Sequence, residues 1–479
     1  MERSPASRKK LSTSVLKALG VFGTLELLKV VCSVARTKLV ALWIGAAGVG
    51  VISLYNATLE MIRSVAMLNL RQSSVPSIDG TSDVSERAHI VRSVDLLGLI
   101  IGIIATIVVM VLSPVLSYLT FGSYDYSWGF ALLAPTMLAN SITDARSAIL
   151  QGLGRLKLLA RCSFYAVLTS TLVAIPLFYF FRMAAIVPVL LIFPIFTVLF
   201  LIFIPGSDIR KTPLDTALFR DTVKSLVRLG SYLTVGIGLG FAAEYILRAW
   251  LSWNSGVDTV GLFQAGYTIV KSYVGLFFTA ITMEFFPRLS ATIRNRRYTS
   301  IVVAHEIIIS LWLLMPVVVA LICFDEIVVK LLYSSSFLDA VPYISIAIIG
   351  TLLRAVSWCF SYVIVAKGDG KIYIFTESVS AVSLLVFSWF GWTLWGFEGL
   401  GLAYLAQYTV FTLATWLICN RRYGLRMPVA VGCLTALSIG CAAVALALRV
   451  YVAWWAVLPL LVPVALVSFV RIKRSLSGF

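Results

Sequence analysis

Ionised side chains lie inside long apolar stretches of this chain, at spacings that place each set on one face of a helix. A charge at the centre of a membrane helix costs roughly 2.5–3.5 kcal/mol on insertion scales, so it is retained only where it meets a partner or water. Basic groups that converge on a hydrated cavity would bind an anion such as a diphosphate. The basic candidates for substrate binding are Lys29, Arg36, Arg63, Arg248, Lys271 and Arg354.

Acidic residues accompany several of these bases and offer a second explanation for the charges. Glu60 lies three residues before Arg63, and Glu244 lies four residues before Arg248, so each pair can neutralise itself within one helix. For any single pair this structural role is the better explanation, whereas the recurrence of polar stripes in several helices favours a shared cavity. The candidates for ion coupling or charge pairing are Glu26, Glu60, Asp144, Glu244 and Glu284.

Other residues that could carry chemistry are sparse. The seven cysteines all fall in apolar stretches, which argues against a disulfide framework. The two histidines, His89 and His305, are far apart in the chain, and no CxxC or HExxH motif occurs. We therefore predict no metal site, no cofactor, no catalytic residue and no enzymatic activity.

The elements that carry these residues are predicted to be membrane helices. Of the 479 residues, 60% are hydrophobic and 13% are charged, and the mean hydropathy is +0.96. Apolar stretches of about 20 residues recur along the chain, and each is long enough to cross a hydrocarbon core as a helix. The first stretch is predicted to be a retained helix, since charges interrupt it and no clear cleavage site follows. The predicted spans are 12–35, 39–70, 90–119, 127–151, 160–182, 184–205, 225–250, 259–287, 300–332, 340–366, 372–394, 399–420, 427–448 and 452–471.

The net charge of +17 is explained by basic loops on one side of a membrane, and it does not indicate nucleic-acid binding. Most basic residues between spans fall on one side of the predicted membrane, alternating loop by loop. The positive-inside rule then places both termini in the cytoplasm. The loops on the other side are short, so none of them can hold a folded domain.

Two parts of the chain repeat each other. The stretch GVGVISLYNATLEMI (48–62) matches DTVGLFQAGYTIVKSY (258–273), in a register that places Gly50 on Gly261. QGLGRLKL (151–158) matches KGDGKIYI (367–374), in a register that places Gly152 on Gly368. A parallel repeat of this kind predicts a substrate site between the halves and alternating access. The predicted domains are six-helix bundles at 12–205 and 225–420, a cytoplasmic linker at 206–224 and an additional helix pair at 427–471.

Four stretches resemble a known family: AAGVGVISLYN (46–56), VGLFQAGYTIV (260–270), FFPRLS (285–290) and SYVIVAKGDGKIYI (361–374). They are similar to the O-antigen translocase and lipid III flippase group, in the polysaccharide-transport branch of the MOP exporter superfamily. The likeness covers about residues 12–422. It implies an all-α fold of about fourteen transmembrane helices, in two pseudo-symmetric six-helix bundles of the MOP and MATE type plus a C-terminal helix pair.

The same resemblance implies a function. Members of this group flip undecaprenyl-diphosphate-linked oligosaccharide from the cytoplasmic to the periplasmic leaflet of the bacterial inner membrane, in lipopolysaccharide and polysaccharide biosynthesis. A polysaccharide polymerase with its chain-length machinery is the implied protein partner. Basic cavity residues of relatives correspond in role to Lys29, Arg36, Arg63, Arg248 and Lys271. The chain departs from the usual twelve helices by the pair after Met427, whose role stays open; in another branch such a pair forms a groove for the lipid tail.

Three other functions remain as alternatives. An ion-coupled exporter of drugs or organic cations would need an acidic cavity, which Glu60, Asp144, Glu244 and Glu284 keep open. A polytopic polysaccharide polymerase or ligase would need a sizeable outer loop, and none is predicted. In a purely structural scaffold, the repeated charges in the membrane would be destabilising and would have no function.

Overall fold

The protein is helical throughout the residues that a computed structural model describes. The backbone is described for residues 5–67, 70–81, 83–203 and 216–477. The side chains are described for the same residues, except for 5–27, 71–72, 216–218, 221, 225–233, 276, 279–280, 283 and 474–477. Within these ranges fifteen α-helices and no strand occur. They are α1 (Pro5–Ala66), α2 (Leu70–Asp79), α3 (Val84–Val111), α4 (Ser113–Phe121), α5 (Ser127–Leu133), α6 (Pro135–Gly152), α7 (Leu156–Phe181), α8 (Ile186–Phe203), α9 (Thr216–Tyr267), α10 (Val274–Thr292), α11 (Arg296–Leu332), α12 (Val341–Ala366), α13 (Gly370–Arg421), α14 (Val429–Tyr451) and α15 (Leu458–Ser477).

Eight stretches of the described chain are long and apolar enough to cross a membrane. Three of them, Leu28–Ala66, Leu156–Phe203 and Gly370–Arg421, are 39, 48 and 52 residues long. One crossing needs only about 20 residues. Each of the three stretches overlaps two predicted spans and contains a break in its backbone conformation, so the eight stretches hold more than eight crossings.

The longest of these helices, α13, is a helical hairpin. Gly396 has φ 56° and ψ −127°, a conformation that glycine adopts far more easily than other residues. A Cβ placed on Gly391 would lie 2.2 Å from the Gly399 carbonyl oxygen, so the two arms touch through bare backbone. Arg422 donates to Asp369 over 3.0 Å and joins the open ends of the hairpin. The eleventh and twelfth predicted spans therefore lie side by side.

The two halves of the chain share a corner at corresponding positions. Gly45 in α1 has φ 72° and ψ −163°, and Gly256 in α9 has φ 84° and ψ 167°. The register that places Gly50 on Gly261 also places Gly45 on Gly256, so the corners follow the repeat predicted from the sequence. The conformation is essentially restricted to glycine, so the same corner is built twice with the same residue.

Helix caps and turns repeat as well. Asp83 caps α3 and Asn295 caps α11, each by accepting a hydrogen bond from the backbone N–H two residues later. The turns after α6 and α12 have positive φ at Gly154 and Gly368, which are therefore the equivalent positions. The predicted register, which places Gly152 on Gly368, is wrong by two residues, because the left-handed glycine comes second in QGLG and first in KGDG.

Arg182 is strained at the position that corresponds to the α13 corner. It has φ 47° and ψ −119°, close to the values at Gly396, and the register that places Gly154 on Gly368 places Arg182 on Gly396. A residue other than glycine in such a region costs about 1–3 kcal/mol. We expect Arg182→Gly to raise the free energy of unfolding by about 1 kcal/mol. This value is the strain that is relieved, minus the cost of the larger conformational entropy that glycine has in the unfolded chain. Denaturant titration of the purified protein in detergent measures this change.

Arg182→Ala is the matched control for this prediction. Alanine removes the same charge and the same long side chain but keeps the Cβ that causes the strain. We expect no gain in stability from it. Equal stabilisation by glycine and alanine would mean that the Arg182 side chain, and not the backbone conformation, carries the cost.

The chain forms two compact units. Unit 1 is Met1–Thr234 with Ser252–Val257, and unit 2 is Val235–Leu251 with Asp258–Phe479. In unit 1, α2 and α3 pack on α6, and α1 and α8 pack on α7. Residues 204–215, which fall in or beside the predicted linker, lie outside the described residues.

Helix α2 was not predicted, because its polar sequence favoured a loop. Its buried side chains Leu70 and Ile78 pack in one cluster with Val94 of α3 and Ile149 of α6. A short helix with few apolar residues gains stability from such tertiary packing rather than from its own propensity. The two buried apolar residues of α2 lie eight positions apart, close to two helical turns, which places them on one face.

In unit 2, α12 packs on α11 and α13, and the last two helices pack on α11. A buried ion pair fixes α14 there: Arg449 Nη2 lies 2.8 Å from Oδ1 of Asp325, whose side chain is 1% exposed. Ser345 Oγ donates to the other Asp325 oxygen over 2.6 Å. Cys323 Sγ donates to the Trp454 carbonyl oxygen over 3.2 Å, beside the start of α15. The C-terminal pair is thus an integral part of unit 2.

The open ends of the α13 hairpin carry a second polar cluster. Tyr423 donates to the Asp369 carboxylate over 3.2 Å. Burial and the neighbouring Asp369 raise the pKa of Tyr423 to about 12, so its hydroxyl stays a neutral donor at physiological pH. Lys367 Nζ donates to the Ile293 carbonyl oxygen over 2.6 Å and ties the α12–α13 turn to the end of α10.

Candidate functional site

A polar pocket of about 120 Å³ lies within unit 2. Its lining comes from α9, from the π-helical segment Thr268–Tyr273 that follows it, and from both arms of α13. Three tyrosines, two carboxylates and one amine face this pocket. The polar lining residues are Glu244, Tyr267, Lys271, Glu377, Ser380, Tyr404, Gln407 and Tyr408.

Helical spacing explains how α13 builds its part of the lining. Glu377 and Ser380 are three residues apart on the first arm, and Tyr404 and Tyr408 are four apart on the second, so each set shares a face. The hairpin turns these faces toward each other. Gln407 Nε2 donates to Ser380 Oγ over 3.1 Å and closes the contact between the two arms.

Glu244 is the central anion of the pocket. Lys271 Nζ donates to its Oε1 atom, and Arg248 Nη1 lies 3.5 Å from its Oε2 atom. Lys271 Nζ also donates to the Tyr267 hydroxyl oxygen over 2.6 Å. One carboxylate is therefore shared by two cations, which offsets the cost of placing all three charges in the membrane.

Arg248 is the fixed member of this cluster, with a side chain only 6% exposed. Its Nε atom donates to Gln264 Oε1 over 3.0 Å, and its Nη1 atom donates to the Glu244 carbonyl oxygen over 2.9 Å. The guanidinium carbon lies 4.6 Å from the centroid of the Tyr267 ring, within cation–π range. These contacts hold the planar guanidinium in one orientation.

Lys271 lies in the π-helical segment, where the regular helical hydrogen-bond ladder is interrupted. The Lys271 carbonyl oxygen accepts a hydrogen bond from Arg354 Nη1 over 3.1 Å. The Arg354 guanidinium carbon in turn lies 4.9 Å from the centroid of the Phe278 ring. Arg354 thus supports the backbone that presents Lys271 to the pocket, and its guanidinium also lies close to the lining residues Tyr404 and Tyr408.

Glu377 was missed by the sequence analysis, as were the serine, glutamine and tyrosines of α13. Among the side chains that the structure describes, Glu377 makes no hydrogen bond or ion pair. It is a carboxylate inside the predicted span 372–394, three residues before Ser380. A lone acidic residue of this kind in an apolar span was the available signal.

A second charge cluster lies in unit 1. Arg63 binds Asp144 with two nitrogens, Nε to Oδ2 over 3.1 Å and Nη2 to Oδ1 over 2.9 Å. Its third nitrogen, Nη1, lies 2.8 Å from Glu60 Oε1. The bidentate geometry fixes α1 to α6. The two carboxylates outnumber the single guanidinium in this group.

The remaining basic candidates of unit 1, Lys29 and Arg36, lie earlier on α1. The Arg36 guanidinium carbon lies 5.9 Å from the centroid of the Phe193 ring on α8. Lys29 is half-buried on α1. Glu26 belongs to the segment whose side chains lie outside the described residues.

Glu284 is placed away from the unit 2 pocket. Its side chain is 78% exposed and lies 3.8 Å from Arg288 Nη1. Arg288 is also held by Glu306 at 2.7 Å, on α11. Among the predicted residues of unit 2, the structure therefore brings Glu244, Arg248, Lys271 and Arg354 together and leaves Glu284 outside.

The pocket offers charge and hydrogen bonds to a ligand. Its ammonium, carboxylates, hydroxyls and amide can bind and orient a polar group inside the membrane. Within the described residues, no group of three or more His, Cys, Asp and Glu side chains is placed to hold a metal ion.

Comparison with known proteins places this geometry in a family. The profile of the family described as "Polysaccharide biosynthesis protein" matches residues 81–342, which is more than half of the chain. The chain belongs to this polysaccharide biosynthesis protein family. Two curated relatives, the lipid III flippases of Escherichia coli (strain K12) and Shigella flexneri, are each 26% identical over 170 residues. Those matches cover 35% of this chain and 39% of each relative, so the chain aligns with about two fifths of their length.

Solved structures show the fold of this family member. The lipid II flippase MurJ in an inward closed conformation matches with a TM-score of 0.70 at 14% identity, covering 95% of this chain and 99% of MurJ. An inward-facing multidrug resistance MATE transporter of the MOP superfamily matches with a TM-score of 0.69 at 16% identity, over 88% and 99% of the two chains. The predicted fold class is confirmed: the described residues form an all-α, multi-pass membrane protein with the fold of these transporters, and the predicted number of about fourteen transmembrane helices roughly fits.

Proposed function

We propose that the protein is a flippase that moves undecaprenyl-diphosphate-linked oligosaccharide from the cytoplasmic to the periplasmic leaflet by alternating access. It acts in the bacterial inner membrane with both termini in the cytoplasm, as the distribution of basic loops favours. Membership of a polysaccharide biosynthesis family, the partial likeness to lipid III flippases and the MOP fold support this assignment. A polysaccharide polymerase is the proposed downstream partner.

The observation that carries the proposal is a polar pocket, lined by helices of unit 2, that presents the Lys271 ammonium. A diphosphate-sugar head group loses its hydration when it enters hydrocarbon, at a cost of many kcal/mol. Protein cations and hydroxyls that replace the lost water lower this barrier, while the polyprenyl tail stays in lipid. Translocation then needs no covalent step.

The predicted basic residues take different roles in this proposal. Lys271 contacts the phosphate, and Arg248 holds the acidic partner of Lys271 in place. Arg63, Lys29 and Arg36 supply positive charge in unit 1, and Arg354 positions the Lys271 backbone. Glu60, Asp144 and Glu244 balance these charges, and with Glu377 they are the candidates for coupling to a proton or Na⁺.

An ion-coupled exporter of organic cations is the second candidate. Glu377 favours it, because a second carboxylate in the pocket adds negative charge that would attract a cationic substrate. The likeness to a multidrug MATE transporter is compatible with it, since that likeness concerns the fold. The neighbouring Lys271 disfavours it, because an ammonium in the same pocket repels such a substrate.

Deletion of the gene in its own cell separates the two candidates. A flippase mutant is expected to accumulate lipid-linked oligosaccharide whose sugars are shielded from periplasmic labelling, and to lose surface polysaccharide. Its resistance to cationic dyes is expected to stay unchanged. Normal polysaccharide together with increased dye sensitivity would instead assign the protein as an exporter.

A further inference from the structure

The anion-binding position of Lys271 is already filled by the protein itself. Lys271 Nζ donates to Glu244 Oε1 and to the Tyr267 hydroxyl oxygen. Carboxylate and phosphate oxygens accept the same charge-assisted hydrogen bond from an ammonium group. A phosphate that enters the pocket therefore competes with Glu244 for Lys271.

Glu244 can leave Lys271 without becoming an unpaired charge. Its Oε2 atom lies 3.5 Å from Arg248 Nη1. Arg248 stays where it is, because Gln264 and the Glu244 backbone carbonyl hold it independently of the Glu244 carboxylate. Breaking a buried ion pair is costly mainly when one charge is left uncompensated. Here the carboxylate keeps one cation while the ammonium gains another anion.

Lys271 is the movable cation of the cluster. Its side chain is 32% exposed, against 6% for Arg248 and 17% for Glu244. A lysine ammonium is a compact charge on a flexible four-carbon stem, whereas a guanidinium in several hydrogen bonds is locked. The pocket of about 120 Å³ that Lys271 lines gives it space to turn away from Glu244.

We propose that Glu244 is an internal counter-anion of Lys271, which a phosphate or diphosphate ester displaces on binding and which reclaims Lys271 on release. The proposal rests on the function proposed above and adds the step that regulates that site. The exchange makes binding weaker and release faster than they would be with an unoccupied ammonium. Affinity for the charged head group is thereby set by Glu244, and not by Lys271 alone.

Glu244→Gln tests the exchange, since glutamine keeps the size and removes the charge. We expect this variant, in nanodiscs of neutral phosphatidylcholine, to bind farnesyl diphosphate about tenfold more tightly than the wild type and to release it more slowly. Farnesol, which lacks the phosphates, should bind all variants equally. Binding of inorganic diphosphate separates two outcomes that both support the proposal. If Glu244→Gln binds inorganic diphosphate more tightly by the same factor, the phosphates suffice for the exchange. If only farnesyl diphosphate binds more tightly, the lipid chain is also needed.

Glu398→Gln is the matched control, because Glu398 is a carboxylate of α13 outside the pocket. It should bind as the wild type does. Glu244→Asp, which keeps the charge on a shorter side chain, should bind with intermediate affinity, and it serves if Glu244→Gln does not fold. Unchanged or weaker diphosphate binding in the folded Glu244 variants would overturn the proposal.

The outcome is separable from that of the proposed function. Tighter diphosphate binding by Glu244→Gln, together with no lipid translocation by the wild type, would support the counter-anion role and contradict the flippase function. Translocation by the wild type with unchanged binding in Glu244→Gln would do the reverse.

Discussion

Lys271→Met is expected to lower the rate of lipid-linked oligosaccharide translocation at least tenfold. Methionine retains the length of the apolar stem but removes the ammonium that faces the pocket. A charge-assisted hydrogen bond to phosphate contributes about 1.5–3 kcal/mol, and its loss from the rate-limiting state slows transport by a factor of 10 or more. The measurement is the initial translocation rate in proteoliposomes at matched protein content.

The fold should survive this substitution, because Glu244 keeps its contact with Arg248. Lys371→Met is the control: Lys371 is an exposed lysine near the start of α13, and its loss removes the same charge outside the pocket. Lys271→Arg should retain part of the activity, since the charge remains while the flexible point-charge geometry is lost. Wild-type rates in folded Lys271→Met protein would show that the pocket cation has no part in transport.

Arg449→Met is expected to destabilise the protein by about 3 kcal/mol, which is the largest stability effect predicted here. It leaves Asp325, whose side chain is 1% exposed, without its cation. Removing one partner of a buried ion pair typically costs about 3–5 kcal/mol. The lower end applies because Ser345 still donates to the Asp325 carboxylate. Denaturant titration in detergent measures this change in the free energy of unfolding. Earlier proteolytic cleavage of the chain between α11 and α14 reports that the packing of these two helices is loosened.

The double variant Asp325→Asn with Arg449→Met is expected to recover most of this loss. The asparagine is uncharged and can still accept from Ser345, so no unpaired charge remains in the core. Lys330→Met is the control for a nearby surface pair, since Lys330 and Glu326 are both half exposed at 3.7 Å. Its cost should stay within about 1 kcal/mol. A single Arg449→Met variant as stable as the wild type would mean that the ion pair does not attach α14.

The membrane helices could be predicted because their signal is local. A run of apolar residues long enough to cross the bilayer has to be helical wherever it occurs. The corner shared by Gly45 and Gly256 also follows the predicted register of the repeat. Helix α2 could not be predicted in this way, since its stability comes from packing Leu70 and Ile78 against other helices.

Partners within one helical turn could be predicted, whereas partners on other helices could not. Spacing alone indicated that Glu244 and Arg248 would meet. The contacts of Glu244 with Lys271, 27 residues away, and of Arg63 with Asp144, 81 residues away, depend on how each helix is rotated about its axis. Local spacing carries no information on that rotation, so the pocket lining from α13 was also missed.

The repeat preserves the framework of the two halves but not their charges. The register that places Gly50 on Gly261 places Glu60 on Lys271, so the position that carries an ammonium in unit 2 carries a carboxylate in unit 1. Corners and caps are constrained by backbone geometry, which is the same in both halves. Charged side chains are constrained by their ion pairs, and these differ between the halves.

Translocation in a purified system tests the central claim most directly. Proteoliposomes that contain the protein and a fluorescent undecaprenyl-diphosphate-linked oligosaccharide are treated with a reagent that quenches only the outer leaflet. The account predicts that the protein exposes the inner-leaflet pool to quenching far faster than protein-free vesicles do, and that Lys271→Met removes most of this acceleration. Equal quenching with wild-type protein, with Lys271→Met and without protein would contradict it.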